Sequence, residues 1–162
     1  MTPEDLAAVT ELLGRPPRGA CEVVARDADG APVVIRNATH LEDGTPMPTL
    51  YWLVGAVERE AVSRLEAAGG VRAAERAADP AALAAAHERY AAERDGYLVA
   101  GAHPHRPTGG VGGTRQGVKC LHAHLAYLLA GGEDPVGRWT AERLGLDLGR
   151  YGRPAPTTRV TA

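Results

Sequence analysis

The sequence predicts an α+β domain: a small antiparallel β-sheet, formed by a hairpin plus a third strand, packed against a layer of α-helices. Short β-branched runs are grouped in the first third of the chain. Stretches with helical period and recognisable caps are grouped after them, and strands followed by helices in blocks, without alternation, argue for α+β. The 162 residues make one domain of ordinary size, able to bury on the order of 70% of the surface its unfolded form exposes.

Thr2-Pro3-Glu4-Asp5 combines an N-cap, a first-turn proline and two acids suited to a helix N-terminus, and Gly14 supplies a stop, so the first helix is expected over residues 3–13. Arg15-Pro16-Pro17-Arg18-Gly19 is a stiff connector. The runs CEVVAR (21–26) and PVVIR (32–36) flank Asp27-Ala28-Asp29-Gly30, which is turn chemistry, and read as a hairpin. A third strand is expected over Thr49–Val54, in a central or well-covered position.

Helical period runs from Val57 to Ala68 and is interrupted at Gly69-Gly70. Residues 71–78 read as helical, and Asp79-Pro80 launches a helix to about Asp95. The acids and arginines of this layer read as a solvated face. Residues 101–117 are loop, Val118–Ala130 a helix closed by Gly131-Gly132, and Pro135–Leu144 a further short helix anchored by Trp139. The domain is expected to span 1–149, with a flexible tail over 150–162.

Composition restricts function. The net charge of -2 gives no global attraction to nucleic acid or to an anionic membrane. No apolar run approaches the roughly 18 residues a membrane span needs. Two distant cysteines, Cys21 and Cys120, behind an opening MTPEDL without signal-peptide character, read as free thiols of a cytoplasmic protein.

One region stands out. Residues 96–132 contain no aspartate or glutamate, yet hold Arg106, Arg115, Lys119, His103, His105, His122 and His124. Of the 18 basic residues, all but Lys119 are arginine, so the single lysine suggests a role a guanidinium cannot fill. A glycine-rich loop entering a helix can aim backbone N–H groups and the helix dipole at an anion. Gly109, Gly110, Gly112, Gly113 and Gly117 would supply the loop, Val118 would begin the helix, and Arg115 and Lys119 would supply the cations. The spacing matches neither a Walker A loop nor G-x-G-x-x-G.

Cys120-Leu121-His122-Ala123-His124 invites a metal reading, but conformation decides. At about 100° per residue His122 and His124 sit roughly 160° apart on a helix and cannot share an ion. No metal site is therefore expected. Cys120 and His124 would pair on one flank as a possible thiol dyad, the alternative being a buried cysteine packed as a small hydrophobe. His122 and Cys120 are the candidates for chemistry.

The segments DGTPMPTLYWL (43–53), SRLEA (63–67) and VKCLH (118–122), in that order, resemble the uncharacterised bacterial family called domain of unknown function 501, over about residues 10–145. The resemblance implies a bacterial cytoplasmic protein and carries no established reaction. Genes near family members include those for a septum-formation initiator and an exopolyphosphatase-type phosphatase, which implies a role touching cell division or phosphate metabolism.

Three functions follow as expectations. The first is binding of a small phosphorylated or carboxylated ligand by Gly112, Gly113, Arg115, Lys119 and His122, with Asp43 and Thr45 on the opposite wall. The second is a non-catalytic protein-interaction module that presents GTPMPTLYW to a partner. The third is a thiol or metal function at Cys120. Whether the protein is an enzyme, and with what cofactor, is left open by the sequence.

Overall fold

A computed structural model describes residues 1–152. In chain order it contains α1 (Pro3–Leu13), β1 (Cys21–Arg26), β2 (Pro32–Asn37), β3 (Tyr51–Leu53), α2 (Ala56–Ala67), α3 (Gly70–Ala77), α4 (Pro80–Asp95), α5 (Leu121–Leu129) and α6 (Pro135–Leu144). Single 3-10 turns lie at Val111–Gly113 and Leu148–Arg150. The architecture is α+β: three antiparallel strands in the order β1-β2-β3, packed against helices.

β2 is the central strand, which explains its unbroken apolar run. Its residues alternate between two covered faces. Ile35 pairs with Val23 and Trp52 and packs with Val9 of α1 and Val54 in a small cluster. Val34 pairs with Ala25 and Leu53 and joins the main core with Leu121, Leu125 and Tyr127 of α5. α1 therefore covers the face opposite the main helical layer. A register shift between Val23 and Ala25 lets β1 bend around this arrangement.

β3 is shorter than the expected Thr49–Val54 and lies at the edge of the sheet, not its centre, although it is well covered. The backbone N–H groups of Leu50 and Tyr51 donate to the Tyr90 hydroxyl at 2.6 and 3.4 Å. That hydroxyl on α4 thereby anchors the start of β3. Tyr51, Tyr90 and Tyr127 form one aromatic cluster with centroids 5.0–6.1 Å apart.

Three helices start where local caps say they should: Thr2, Asp79 and Asp134 each accept a first-turn N–H. α5 does not start at Val118. Residues 118–120 run before the helix, with Cys120 extended at φ -155°, because the carboxylate that receives the first helical N–H comes from α2. Gly152, within the span expected as a tail, pairs with the end of β1: Arg26 and Gly152 exchange backbone hydrogen bonds of 2.9 and 3.0 Å. The rest of the expected tail, 153–162, lies outside the described residues. No helix among the described residues is long and apolar enough to cross a membrane.

Candidate functional site

The glycine-rich loop is tied down by two buried side chains of α4. Leu83, His87, Tyr90 and Arg94 follow one another along one face of the helix, and all four are buried. The His87 ring spans the loop: Nδ1 receives the Val111 N–H at 3.0 Å, and Nε2 lies 3.0 Å from the Gly117 carbonyl. Val111 can only donate and Gly117 can only accept, so the imidazole is neutral with its proton on Nε2. Burial pushes its pKa down, partly offset by the Gly117 carbonyl.

Arg94, 2% exposed, donates to the Gly109 carbonyl and, through Nε and Nη2, to Asp95 at 3.0 and 2.9 Å. The expectation that the charged residues of the helical layer form a solvated face fails for Arg94, and for Glu58, 8% exposed, whose carboxylate accepts from the Tyr151 hydroxyl at 3.0 Å. Buried charge is tolerated in both places because each has a partner.

Three of the loop amides donate inside the protein. Gly110 N–H donates to Thr114 O at 2.7 Å, Gly113 N–H to Gly110 O at 2.9 Å, and Val111 N–H to His87. Gly109 and Gly113 hold φ of +83° and +77°, the left-handed region that this tight course requires. Gly112 and Gly113 face protein: a Cβ on them would lie 3.3 Å from Ala123 and 3.2 Å from Pro48. Lys119, exposed at the surface, donates from Nζ to the Gly112 carbonyl at 3.2 Å, so the only lysine is tied to the loop.

The N-terminus of α5 is likewise occupied. Glu66 Oε1 receives the Leu121 N–H at 2.5 Å and lies 3.1 Å from His122 Nδ1. A protein carboxylate thus takes the place where a bound anion would complement the helix end. His122 Nε2 lies 3.3 Å from both the Ser63 hydroxyl and the Arg59 carbonyl. The SRLEA and VKCLH segments are brought into direct contact.

Cys120 and His124 do not form a helical i,i+4 pair, since Cys120 precedes the helix. Burial raises the Cys120 thiol pKa above its ordinary value, against weaker lowering by the helix-start amides. His124 is fully buried. Its Nδ1 lies 2.7 Å from Asp134 Oδ2, while Asp134 Oδ1 caps α6 by accepting the Gly137 N–H at 2.7 Å. His40 sits between two loops: its Nε2 is 2.7 Å from the His105 carbonyl, and its ring stacks on His103 at 3.8 Å. Among the described residues no group of three or more His, Cys, Asp or Glu is placed to hold a metal ion.

The remaining expected residues lie apart. Asp43 receives the Thr45 N–H at 2.9 Å and faces Arg18 at 3.5 Å; its carboxyl is held below the usual range chiefly by the hydrogen bonds from Thr45. Tyr51 is 4% exposed and donates its hydroxyl to Glu93, so it is not presented outward, whereas Trp52 is half-buried against α1. Arg115 is exposed and borders a groove of about 490 Å³ beside His87, Arg94, Arg106, Gly109 and Gly110. Gly112, Gly113, Lys119, His122, Asp43 and Thr45 do not line it.

Sequence reasoning missed His87, Arg94, Ser63 and Glu66, and named Arg106 only as one cation of the acid-free window. For the first two a signal exists: they occupy the apolar stripe 83-87-90-94 of α4, where a polar residue must have a buried partner. The fold and site together define an α+β protein whose sheet is covered on both faces and whose glycine loop is braced by a neutral histidine and a buried arginine. The chain belongs to the family described as Protein of unknown function (DUF501), which matches residues 23–142. That span includes the loop, both braces and the Ser63–Glu66–His122 contact. No curated protein and no solved structure matches the chain.

Proposed function

We propose that the protein binds a small phosphorylated or carboxylated molecule in the groove between α4 and the glycine-rich loop, with Arg106 and Arg115 as the binding cations. The supporting observation is the charge of this groove: three guanidinium groups, Arg94, Arg106 and Arg115, against Glu88 and Asp95. Asp95 is shared by Arg94 and, at 3.6 Å, by the exposed Arg106. Arg115 has no ion-pair partner among the described residues, and an arginine suits bidentate recognition of either anion class. The ligand class is the one the sequence suggests, but its place moves from the helix N-terminus to the outer side of the loop. Lys119 and His122 then have no part in binding.

Thermal-shift measurements with inorganic phosphate, pyrophosphate and citrate test this reading. A ligand at 100 times its Kd stabilises by about 2.7 kcal/mol, or very roughly 5–10 °C for a domain of this size. Arg115→Ala and Arg106→Ala should remove the shift, whereas Lys119→Ala should keep it. If no anion stabilises the protein, or if only Lys119→Ala abolishes the shift, the groove is not the site.

A further inference from the structure

The contact between SRLEA and VKCLH carries chemistry that the anion groove does not use. Ser63, exposed on α2, places its hydroxyl 3.3 Å from His122 Nε2, and His122 Nδ1 lies 3.1 Å from Glu66 Oε1. We propose that Ser63, His122 and Glu66 form a nucleophile, base and orienting carboxylate for acyl transfer from small esters.

Each component is held in the orientation its role requires. Glu66 is fixed by the Leu121 N–H at 2.5 Å, and a carboxylate can only accept, so His122 keeps a proton on Nδ1. That leaves the Nε2 lone pair for the Ser63 hydroxyl. A base must also tolerate the cation it becomes. The Arg59 carbonyl, 3.3 Å from Nε2, can accept the Nε2–H of the imidazolium while Glu66 balances its charge from the other side. Both protonation states of the ring therefore have partners in place without movement of α2 or α5. Serine and histidine are also reachable: Ser63 is exposed and the His122 side chain is 29% exposed.

The reaction balances as follows. Ser63 Oγ bonds to the ester carbonyl carbon while its proton passes to His122 Nε2. The C–O bond to the alcohol breaks, and the departing alkoxide takes that proton. Water then attacks the acyl-serine, giving its proton through Nε2 to Ser63 as the acid leaves. Glu66 does not touch substrate and is a positioning residue.

A fluorophosphonate probe tests the centre directly: Ser63 Oγ would bond to phosphorus, fluoride would leave, and the serine proton would pass to His122. Intact mass and peptide mapping of the full chain should find one adduct, on Ser63, absent in Ser63→Ala. His122→Gln, confirmed as folded by circular dichroism, should label about 100-fold more slowly, at the lower end of the 10²–10⁴ expected of a general base. Glu66→Gln, which can still accept the Leu121 N–H, should shift the pH profile of labelling to lower pH. Absence of an adduct on Ser63, or labelling undiminished in folded His122→Gln, overturns the proposal.

Discussion

The His87 ring occupies the space a side chain at residue 110 would need: a Cβ on Gly110 would lie 2.5 Å from both the Cβ and Nδ1 of His87. Gly110 has φ of -92°, so its requirement for glycine comes from close approach and not from backbone conformation. Gly110→Ala must displace the ring and with it the Val111 hydrogen bond. The expected loss is about 1–3 kcal/mol in chemical denaturation. Combined with His87→Ala it should cost clearly less than the sum of the two single changes, because both act on one contact.

Acid should loosen the same contact. His87 is neutral in the fold, and its pKa lies below that of the unfolded chain, about 6.5. The unfolded state therefore takes up the proton first, and stability falls as pH drops below about 6.5, levelling once the pH is below the folded value. Above about 6.5 both states are neutral and His87 adds no pH dependence. Melting curves from pH 8 to 4.5 should show a steeper loss for the wild type than for His87→Gln. Parallel curves would refute the neutral brace.

Arg94→Met should test the second brace. It keeps much of the buried volume but leaves the Gly109 carbonyl without its donor, a cost of about 1–3 kcal/mol. Because Gly109 and Gly110 border the proposed anion groove, the change should also reduce the thermal shift produced by phosphate. An unchanged melting temperature would mean that the loop does not depend on this hydrogen bond.

Asp134→Ala should destabilise through two separate losses. The cap on α6 is worth about 1 kcal/mol, and stripping the buried His124 Nδ1 of its acceptor costs about 1–3 kcal/mol more. Asp134→Asn should lose less, since its carbonyl oxygen can still receive the Gly137 N–H. Equal losses for the two variants in urea titrations would show that the cap contributes nothing.

The difference between α6 and α5 explains what could be read from the chain. α1, α4 and α6 are legible because their caps are a few residues away: Thr2, Asp79 and Asp134 announce them. α5 is capped by Glu66, which is distant in sequence, so nothing local marks Leu121 as its start and the apolar period carries the expected helix back to Val118. The candidate site divides in the same way. The excess of positive charge over residues 96–132 is visible in composition, but the contacts of the Gly110, Val111 and Gly113 amides and of Lys119 are revealed only by the packed loop. His87 and Arg94 were legible in principle as polar residues in an apolar stripe. The meeting of Ser63 with His122 depends on how α2 crosses α5 and has no local signal.

Arg26 belongs at once to three parts of the molecule. Its guanidinium grips the Asp5 carboxylate with two bonds of 2.8 Å, its backbone is exchanged with Gly152, and the residue itself ends β1. α1 and the last described residues are thereby fastened to one strand end, and should open as one cooperative unit. Amide hydrogens of α1 should then lose protection when the chain is cut after residue 149, although that cut removes no atom of the helix.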